Sequence, residues 1–289
     1  MFIRSIQNPD MMVAGRPYRD RVSHANTYST AFPFDRCAPG LAPGPVALVA
    51  VHGRAPALST VQDVWGQEIV RTLPTSGFTV GVSSSSTADV LTSGTGAWSV
   101  EVDILDTDYV PHTISLNLNG QSKVSDTTYV GTALRVNDIR VTGWGTGLAN
   151  AGDIYVYDAS DTVTAGVPQT VTKIFHKVIA TENVARGAFY TVPAGCQMQT
   201  QQVRCGITDS TTTNRAAFVN VVSTRLVGGK RIRTDFPISG QIGATSGMVK
   251  ADPDFPLIFD EKTDISLQGT ASGAVVLAVY MDAVIFYKD

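Results

Sequence analysis

The fold is decided by residues 94–120, which read GTGAWSVEVDILDTDYVPHTISLNLNG. Apolar and polar side chains alternate through residues 98–104 and again through residues 113–118. Because successive side chains on a β-strand point to opposite faces, each run predicts a strand with one buried and one solvated face. Residues 106–111 are rich in Asp and predict the connecting loop, while Asn119-Gly120 predicts a tight turn with positive backbone angles. A β-meander is therefore expected at the centre of the N-terminal half.

The composition predicts an all-β protein. Only 16% of the 289 residues are charged, and 26 are glycine. Segments rich in Ala, Glu, Lys and Leu are absent, so helix content should be low, and the length allows a core without disulfides or metal ions. The formal net charge of -3 provides no basic excess for nucleic acid, and no apolar run is long enough to span a bilayer. We therefore expect neither nucleic acid nor membrane as a partner.

Residues 1–60 differ from the rest of the chain. Prolines recur through this region, and they disfavour helices and central strands. The region nevertheless carries more large apolar side chains than a solvated tail would. We predict an extended N-terminal arm, packed against its own body or a neighbouring subunit. The predicted interface residues of this arm are Phe2, Ile3, Tyr18, Tyr28, Phe32 and Phe34.

Two antiparallel β-sandwiches are predicted after the arm. Residues 61–165 carry short alternating runs separated by turn signals and predict a small sandwich. The alternation in this region slips between Val136 and Ile139, which predicts a β-bulge near Asn137-Asp138. Residues 166–289 carry longer runs and predict a jelly-roll-like sandwich. Its last run, residues 275–287, is apolar on both faces, so we expect a central strand covered by its own domain or by a partner.

The residue types that perform catalysis show no catalytic spacing. The four histidines and three cysteines are His24, His52, His112, His176, Cys37, Cys196 and Cys205. No two histidines have zinc-site spacing, and neither a nucleophile elbow nor a phosphate-binding loop occurs. Free thiols are favoured over a disulfide framework, with a Cys196–Cys205 bridge left open. A glycan-cleaving enzyme would need paired carboxylates at a fixed separation, but the acidic groups fall in predicted turns. We expect no enzymatic activity and no cofactor.

One group of acidic residues is a candidate calcium site. Asp103, Asp106 and Asp108 fall together at one end of the predicted central hairpin. Oxygen-rich loops bind calcium, but Asp is also favoured in turns for its backbone hydrogen bonds. The turn interpretation is preferred, with calcium kept as the alternative.

Two further surface features are ambiguous. Arg225, Arg231 and Arg233, with Lys230 between them, form the main basic concentration and predict either a solvated strand face or a contact with an acidic neighbouring subunit. Trp144 begins a glycine-rich loop that would serve as a sugar-binding groove or, more simply, as a tight connection between strands.

Residues 60–158 resemble small structural proteins of tailed bacteriophages. The similarity is carried by short segments: Val64-Trp65-Gly66, residues 82–89, Gly94-Thr95-Gly96-Ala97, Val100-Glu101-Val102, Leu105-Asp106 with Tyr109, Leu118-Asn119-Gly120 and residues 150–154. Trp98 departs from the pattern, in which Arg or Lys is common. The resemblance implies a virion component, made in the bacterial host cytoplasm, on the capsid surface or in the tail. It implies no catalytic residues.

These observations lead to two functional hypotheses. The first is a capsid cement or decoration protein, whose partners are the major capsid protein and copies of itself in a dimer or trimer. The second is a tail adaptor or a receptor-binding fibre head that binds carbohydrate through its loops, with Trp144, Tyr155 and Tyr157 as the candidates to stack on a sugar.

Overall fold

The computed structural model describes residues 46–208, 217–227, 230–237, 246–251 and 257–287. Within these residues the structure is almost entirely β, with one 3-10 turn at Val171–Lys173. The strands before residue 180 are β1 (Val46–Leu58), β2 (Gln62–Asp63), β3 (Val80–Ser84), β4 (Ala97–Asp106), β5 (Pro111–Asn117), β6 (Val124–Ser125), β7 (Ala133–Trp144), β8 (Ile154–Asp158), β9 (Val163–Thr164), β10 (Val167–Pro168) and β11 (Ile174–Val178). The later strands are β12 (Phe189–Thr191), β13 (Cys196–Thr208), β14 (Ala217–Val227), β15 (Lys230–Pro237), β16 (Ser246–Ala251), β17 (Ile258–Phe259), β18 (Asp264–Ala271) and β19 (Val275–Tyr287).

A larger sandwich is built from the two ends of the described chain. One of its sheets has the strand order β1-β19-β13-β16, with β17 also pairing with β13. The facing sheet has the order β12-β18-β14-β15, with β2 pairing with β18. Apolar side chains from both sheets, such as Leu267 and Leu277, are fully buried between them. Removing this apolar surface from water is the main force that holds the two sheets together.

A smaller sandwich is formed by the chain between β2 and β12. Its sheets have the orders β11-β8-β3-β6 and β5-β4-β7, and β9 and β10 form a separate ribbon. Val82, Val102 and Ile139 are buried in a second core between these sheets. The paired strands of both sandwiches run antiparallel, so the predicted all-β class and antiparallel sandwich architecture are confirmed.

The central hairpin forms as its alternation predicts. Strands β4 and β5 pair, with Val102 opposite Ile114. Both side chains are buried, and the polar residues between the apolar positions face outward. Gly120 adopts a positive φ of 55° at the predicted turn, where a residue with a β-carbon would be strained.

The bulge in β7 is also confirmed, and it has a structural purpose. Asp138 lies opposite Asp103 and Val136 lies opposite Ile104, so Asn137 is the extra residue. The Nδ2 of Asn137 donates to the Thr191 carbonyl at 3.0 Å, and its Oδ1 accepts the Thr191 N–H at 2.9 Å. Because Thr191 belongs to β12, the bulge directs one amide side chain of the smaller sandwich onto the larger one.

The last strand, β19, is central in its sheet, as predicted, because β1 and β13 pair on its two sides. Its inward side chains, including Leu277 and Met281, are buried. On the outer face Val284 is buried, whereas Tyr280 is 46% exposed. The inner face of β19 is therefore buried in the larger sandwich, and its outer face is partly exposed.

The strands do not group at the boundaries predicted from the sequence, residues 1–60, 61–165 and 166–289. The predicted arm ends in β1, which is a strand of the larger sandwich. The predicted second sandwich begins with β10 and β11, and β11 pairs with β8 of the smaller one. Pro56 suggested a broken chain, but it lies at an irregularity between Ala55 and Leu58 on an edge strand, where proline is tolerated.

An aromatic cluster and a buried ion pair join the two sandwiches. Trp65 and Phe189 of the larger sandwich meet edge to face, at 5.9 Å between ring centroids, and pack with Tyr157 of the smaller one. Arg135 of β7 donates to both carboxylate oxygens of Asp264 in β18, at 2.7 and 3.0 Å. Burial opposes the Arg135 charge, but the contacts with Asp264 outweigh it and raise the pKa of Arg135.

We predict that Arg135→Ala destabilises the protein by about 3–5 kcal/mol, because it leaves the largely buried Asp264 carboxylate without its partner. The matched control is Arg140→Ala, which breaks ion pairs at a side chain that is 37% exposed and should cost about 1 kcal/mol or less. Chemical denaturation would measure both. Equal losses for the two variants would contradict this role of Arg135.

Candidate functional site

A cleft of about 500 Å³ lies between the two sandwiches, and we call it the inter-sandwich cleft. It is lined by residues 48–52 of β1, residues 103–105 of β4, residues 111–113 of β5, Asn137 and Asp138 of β7, and Ala185, Gly187, Phe189 and Tyr190. One side is thus the edge of a sheet in the larger sandwich. The other side is the solvated face of a sheet in the smaller sandwich.

The β1 side of the cleft presents an open strand edge. The Arg54 N–H donates to the Arg186 carbonyl at 3.2 Å, away from β19, so even-numbered residues of β1 direct their backbone groups toward the cleft side. Within the described chain, the outward backbone groups of Leu48, Ala50 and His52 pair with no other strand. An unpaired edge of this kind is a template for an added strand.

The opposite wall of the cleft is acidic. Asp103 and Asp138 are register neighbours on β4 and β7, and both line the cleft. Asp103 accepts hydrogen bonds from Thr113 and from Arg140, each at 2.7 Å. Arg140 also binds Glu101 at 2.7 Å, so this face holds three carboxylates around one guanidinium. The expectation that acidic groups lie only in turns is wrong here, because Asp103 and Asp138 lie on adjacent strands facing a cleft.

The protonation of Asp138 is shifted by its surroundings. Burial and the nearby Asp103 carboxylate raise the pKa of Asp138, while Arg140 and His52 oppose the shift. The Asp138 side chain is still 48% exposed, so solvent screening keeps the effect on stability small. Because the folded state raises this pKa, its contribution to stability is greatest in acid and falls as the pH rises through the folded pKa.

Asp138→Asn is therefore expected to raise the thermal unfolding temperature slightly at neutral pH and to leave it unchanged at about pH 3, where the native carboxyl is protonated in both states. Asp108→Asn, at an exposed turn position, is the matched control. Scanning calorimetry at both pH values measures the difference. If Asp138→Asn destabilised the protein at neutral pH, the Asp138 carboxylate would instead be stabilising the folded state, which would contradict this prediction.

A second cavity, of about 170 Å³, lies on the outer face of the sheet that contains β18. It is lined by Asp63, Arg71, Arg233 and Gln268, among others. Gln268 donates to Asp63 at 2.9 Å and accepts from Arg233 at 3.1 Å. The Arg71 guanidinium stacks 3.2 Å from the Phe189 ring centroid, and burial lowers the pKa of Arg71 to about 10, so it remains a cation at neutral pH.

His176 is buried where the two sandwiches contact each other. Its ring lies 4.6 Å from the Phe189 ring, and its Nδ1 accepts the Lys177 N–H at 3.0 Å. Burial first, and then the Arg71 cation, hold the pKa of His176 well below its ordinary value. A histidine with a lowered folded pKa favours folding above its unfolded pKa, and that contribution is lost as the pH falls below about 6.5.

We expect native protein to lose stability between about pH 7 and pH 5 because His176 must be neutral in the folded state. His176→Gln, which cannot be protonated, should flatten this part of the profile. In the control His52→Gln, at a partly exposed position, the acid-linked loss should persist. Thermal unfolding at the two pH values tests this, and an unaltered profile for His176→Gln would contradict it.

Two of the three predicted calcium residues, Asp103 and Asp106, use their carboxylates to accept hydrogen bonds from protein groups. Asp106 accepts the Asp108 and Val110 N–H groups, each at 2.9 Å, and lies 3.0 Å from His112. Burial opposes the charge of Asp106, but its contact with His112 and these turn hydrogen bonds lower the pKa of Asp106. Asp103 is held by Thr113 and Arg140. Among the described residues, no group of three or more His, Cys, Asp or Glu side chains is placed to bind a metal ion.

The predicted basic interface residues lie at the β14–β15 hairpin. Arg225 pairs with Asp260, and Arg233 pairs with Asp235 at 2.8 Å. Arg231 lies opposite Leu226 in the strand register, and its side chain is not among those described. The predicted arm contacts Phe2, Ile3, Tyr18, Tyr28, Phe32 and Phe34 lie outside the described residues.

The aromatic residues proposed to bind sugar do not form one surface. Tyr155 and Tyr157 are buried, so they are not available to stack on a sugar, and that part of the carbohydrate hypothesis is wrong. Trp144 is 41% exposed at the end of β7. A β-carbon at Gly145 would collide with the Gly94 carbonyl, so the glycine-rich loop reflects close backbone packing.

Cys196 and Cys205 are both buried and free, so the bridge left open by the sequence is not formed. Burial raises the pKa of the Cys205 thiol to about 11. In the part of the chain that is described, no helix has the length and hydrophobicity needed to cross a membrane.

Comparison with known proteins gives weak structural similarities. No protein-family model matches the chain, and no curated protein sequence matches it. The VP2 subviral particle of infectious bursal disease virus is 11% identical with a TM-score of 0.23, over 89% of this chain and 82% of that one. The T13 particle of the same virus is 11% identical with a TM-score of 0.21, over 93% and 81% of the two chains. At these TM-scores no role is transferred from either structure.

Proposed function

We propose that this chain is a structural protein of a tailed-phage virion, acting as a capsid cement or decoration protein. Its partners would be the major capsid protein and further copies of itself, in a dimer or trimer. The proposal assigns the chain no enzymatic activity. It is supported by the resemblance of residues 60–158 to phage structural proteins and by the surface of the larger sandwich.

The observation that carries the proposal is the outer face of the sheet containing β19. Leu48, Val284 and Gln199 lie side by side across three strands, and Ile258 continues the row on β17. The two ends of this row, Leu48 and Ile258, are 72% and 55% exposed, whereas Val284 and Gln199 between them are buried. Tyr280 lies exposed on the same face and stacks with His52 at 5.7 Å. Leu48, Tyr280 and Ile258 thus place three exposed large apolar side chains on one sheet face, which favours this face as a protein contact.

The energetics suit a protein that stabilises an assembled shell. Apolar surface contributes about 25 cal/mol for each Å² removed from water, and a standard interface buries about 1,600 Å² in total. Such a contact, repeated over every copy in a shell, strengthens the particle even where each single contact is modest. Rigid sandwiches suit this role because little conformational entropy is lost when they dock.

The strand order supports the same proposal. Leaving out the short strands β2 and β17, the eight strands of the larger sandwich pair first-eighth-third-sixth and second-seventh-fourth-fifth. We interpret this alternation between two four-stranded sheets as a jelly roll, an architecture found in viral capsid domains. The smaller sandwich then fills the connection between the first and second strands.

The test is quantitative mass spectrometry of purified virions with a labelled internal standard for each protein. A cement protein should be present at a copy number of the same order as the major capsid protein. Virions prepared without this chain should lose their genomes at lower temperature or lower osmotic stress than complete virions. Absence of the chain from purified particles would overturn the proposal.

A tail adaptor or receptor-binding fibre head is the second candidate. Trp144 and Leu148 are exposed on the glycine-rich connection after β7, where a sugar could stack on the indole. A few copies per virion, located at a single vertex by immunogold labelling, would favour this candidate over a cement protein. Reduced adsorption to host cells by a Trp144→Ala virion would support it further.

A further inference from the structure

We propose that the inter-sandwich cleft receives the N-terminal segment, residues 1–45, of a neighbouring copy as an additional β-strand on the edge of β1. The proposal rests on the self-association contained in the proposed function and specifies its site. It is a β-strand addition, in which backbone hydrogen bonds supply affinity and the cleft walls supply selectivity.

The open edge has the length and shape for a short strand. Leu48, Ala50 and His52 direct backbone groups to this side that pair with no other described strand, over about 13 Å. Beyond His52 the edge closes, because the Arg54 N–H is already bonded to Arg186. The cavity of about 500 Å³ lies directly along this open part of the strand. The structure therefore limits an added strand to one short stretch of β1.

The charge of the cleft matches the segment. The wall opposite β1 carries Asp103 and Asp138, and Arg140 beside it is shared between these two carboxylates and Glu101. The N-terminal segment contains five arginines against three acidic residues, all aspartates, whereas the whole chain is net negative. A basic strand in an acidic cleft gains in association rate and in selectivity over neutral or acidic strands.

The segment also contains a run able to form a strand. Residues 2–6 read Phe-Ile-Arg-Ser-Ile, without proline or glycine and with two β-branched residues. Alternate side chains of such a strand would face opposite ways, one set toward the exposed Leu48 and the other toward solvent or the acidic wall.

The sequence before β1 favours a neighbour as the source of the strand. Pro43 and Pro45 lie on either side of Gly44, immediately ahead of Val46. Proline has no backbone N–H to donate to a β-ladder, so the residues immediately before Val46 are poor hairpin partners for their own β1. A tight hairpin with its own β1 is therefore disfavoured, and the self-association in the proposed function makes a neighbouring copy the source of the strand.

The experiment uses the full-length chain with the photo-reactive residue benzoyl-phenylalanine in place of exposed Ala50. A mixture of 14N-labelled and 15N-labelled protein is irradiated, digested and analysed by mass spectrometry. Position 50 should cross-link to peptides within residues 1–45, with one light and one heavy partner. The matched control has the same residue in place of Phe218, which is exposed on the opposite sheet and should not cross-link to that segment.

A second measurement tests the backbone pairing. Ala50→Pro removes an outward N–H that does not bond β19, and should weaken self-association about tenfold in analytical ultracentrifugation. Ala50→Val keeps the N–H and should associate as the native chain does. Circular dichroism and thermal unfolding establish that both variants fold.

Cross-links joining position 50 only to residues 1–45 of the same isotope label would overturn the neighbouring-copy source. Absence of cross-links to that segment, or equal association of the Pro and Val variants, would overturn the site. These outcomes are separate from the test of the proposed function. The chain could be abundant in virions while the cleft stays empty, or could exchange segments in solution and be missing from virions.

Discussion

The structure depends on a three-way backbone contact where the smaller sandwich is inserted into the larger one. The Val64 N–H donates to the Leu267 carbonyl at 2.9 Å, the Leu267 N–H donates to the Ala188 carbonyl at 2.8 Å, and the Ala188 N–H donates to the Val64 carbonyl at 2.8 Å. The chain therefore leaves the larger sandwich and returns to it at one point. Gly53 of β1 packs against this point, and a β-carbon there would collide with Val64 and Ala188. Because its entry and its exit are held by the same contact, the smaller sandwich is attached to the larger one at a single place.

A single attachment would allow the smaller sandwich to rotate relative to the larger one, but further contacts between the two sandwiches prevent this rotation. Arg135 reaches from β7 to Asp264, and the bulged Asn137 bonds the backbone of Thr191. Trp65 and Phe189 fill the space beside the attachment point with buried aromatic surface. Arg135 and Asn137 contact the larger sandwich at Asp264 and Thr191 rather than at the attachment point, so they restrict the orientation of the smaller sandwich as well as its position. The inter-sandwich cleft has a defined width because of that orientation.

Local pattern predicted the elements of this fold but not their grouping. The alternation around Val102, the bulge at Asn137 and the central position of β19 all follow from side-chain parity, which is a local property. The pairing of β1 with β19 joins residues more than two hundred positions apart, and one strand's sequence does not encode its partner. The contacts between the two sandwiches could not be predicted from the sequence for the same reason. His176 and Arg71 are unremarkable in sequence, and only where the sandwiches meet does the Arg71 cation lie close enough to lower the pKa of the buried His176. An apolar run at residues 48–51 beside an otherwise proline-rich region was the one local sign of β1.

The smaller sandwich restricts which extended chains can pair with the open edge of β1. An exposed strand edge pairs with almost any extended chain, and proteins usually block such edges with charge, bulges or a covering element. Here the smaller sandwich stands over the edge without pairing to it at Leu48, Ala50 or His52, and places Asp103 and Asp138 opposite. A strand entering the cleft must therefore fit beneath this wall and tolerate its negative charge. The insertion thus converts an edge that would pair indiscriminately into one that selects a short basic strand, and this requirement gives a physical reason for placing a second sandwich directly after the edge strand.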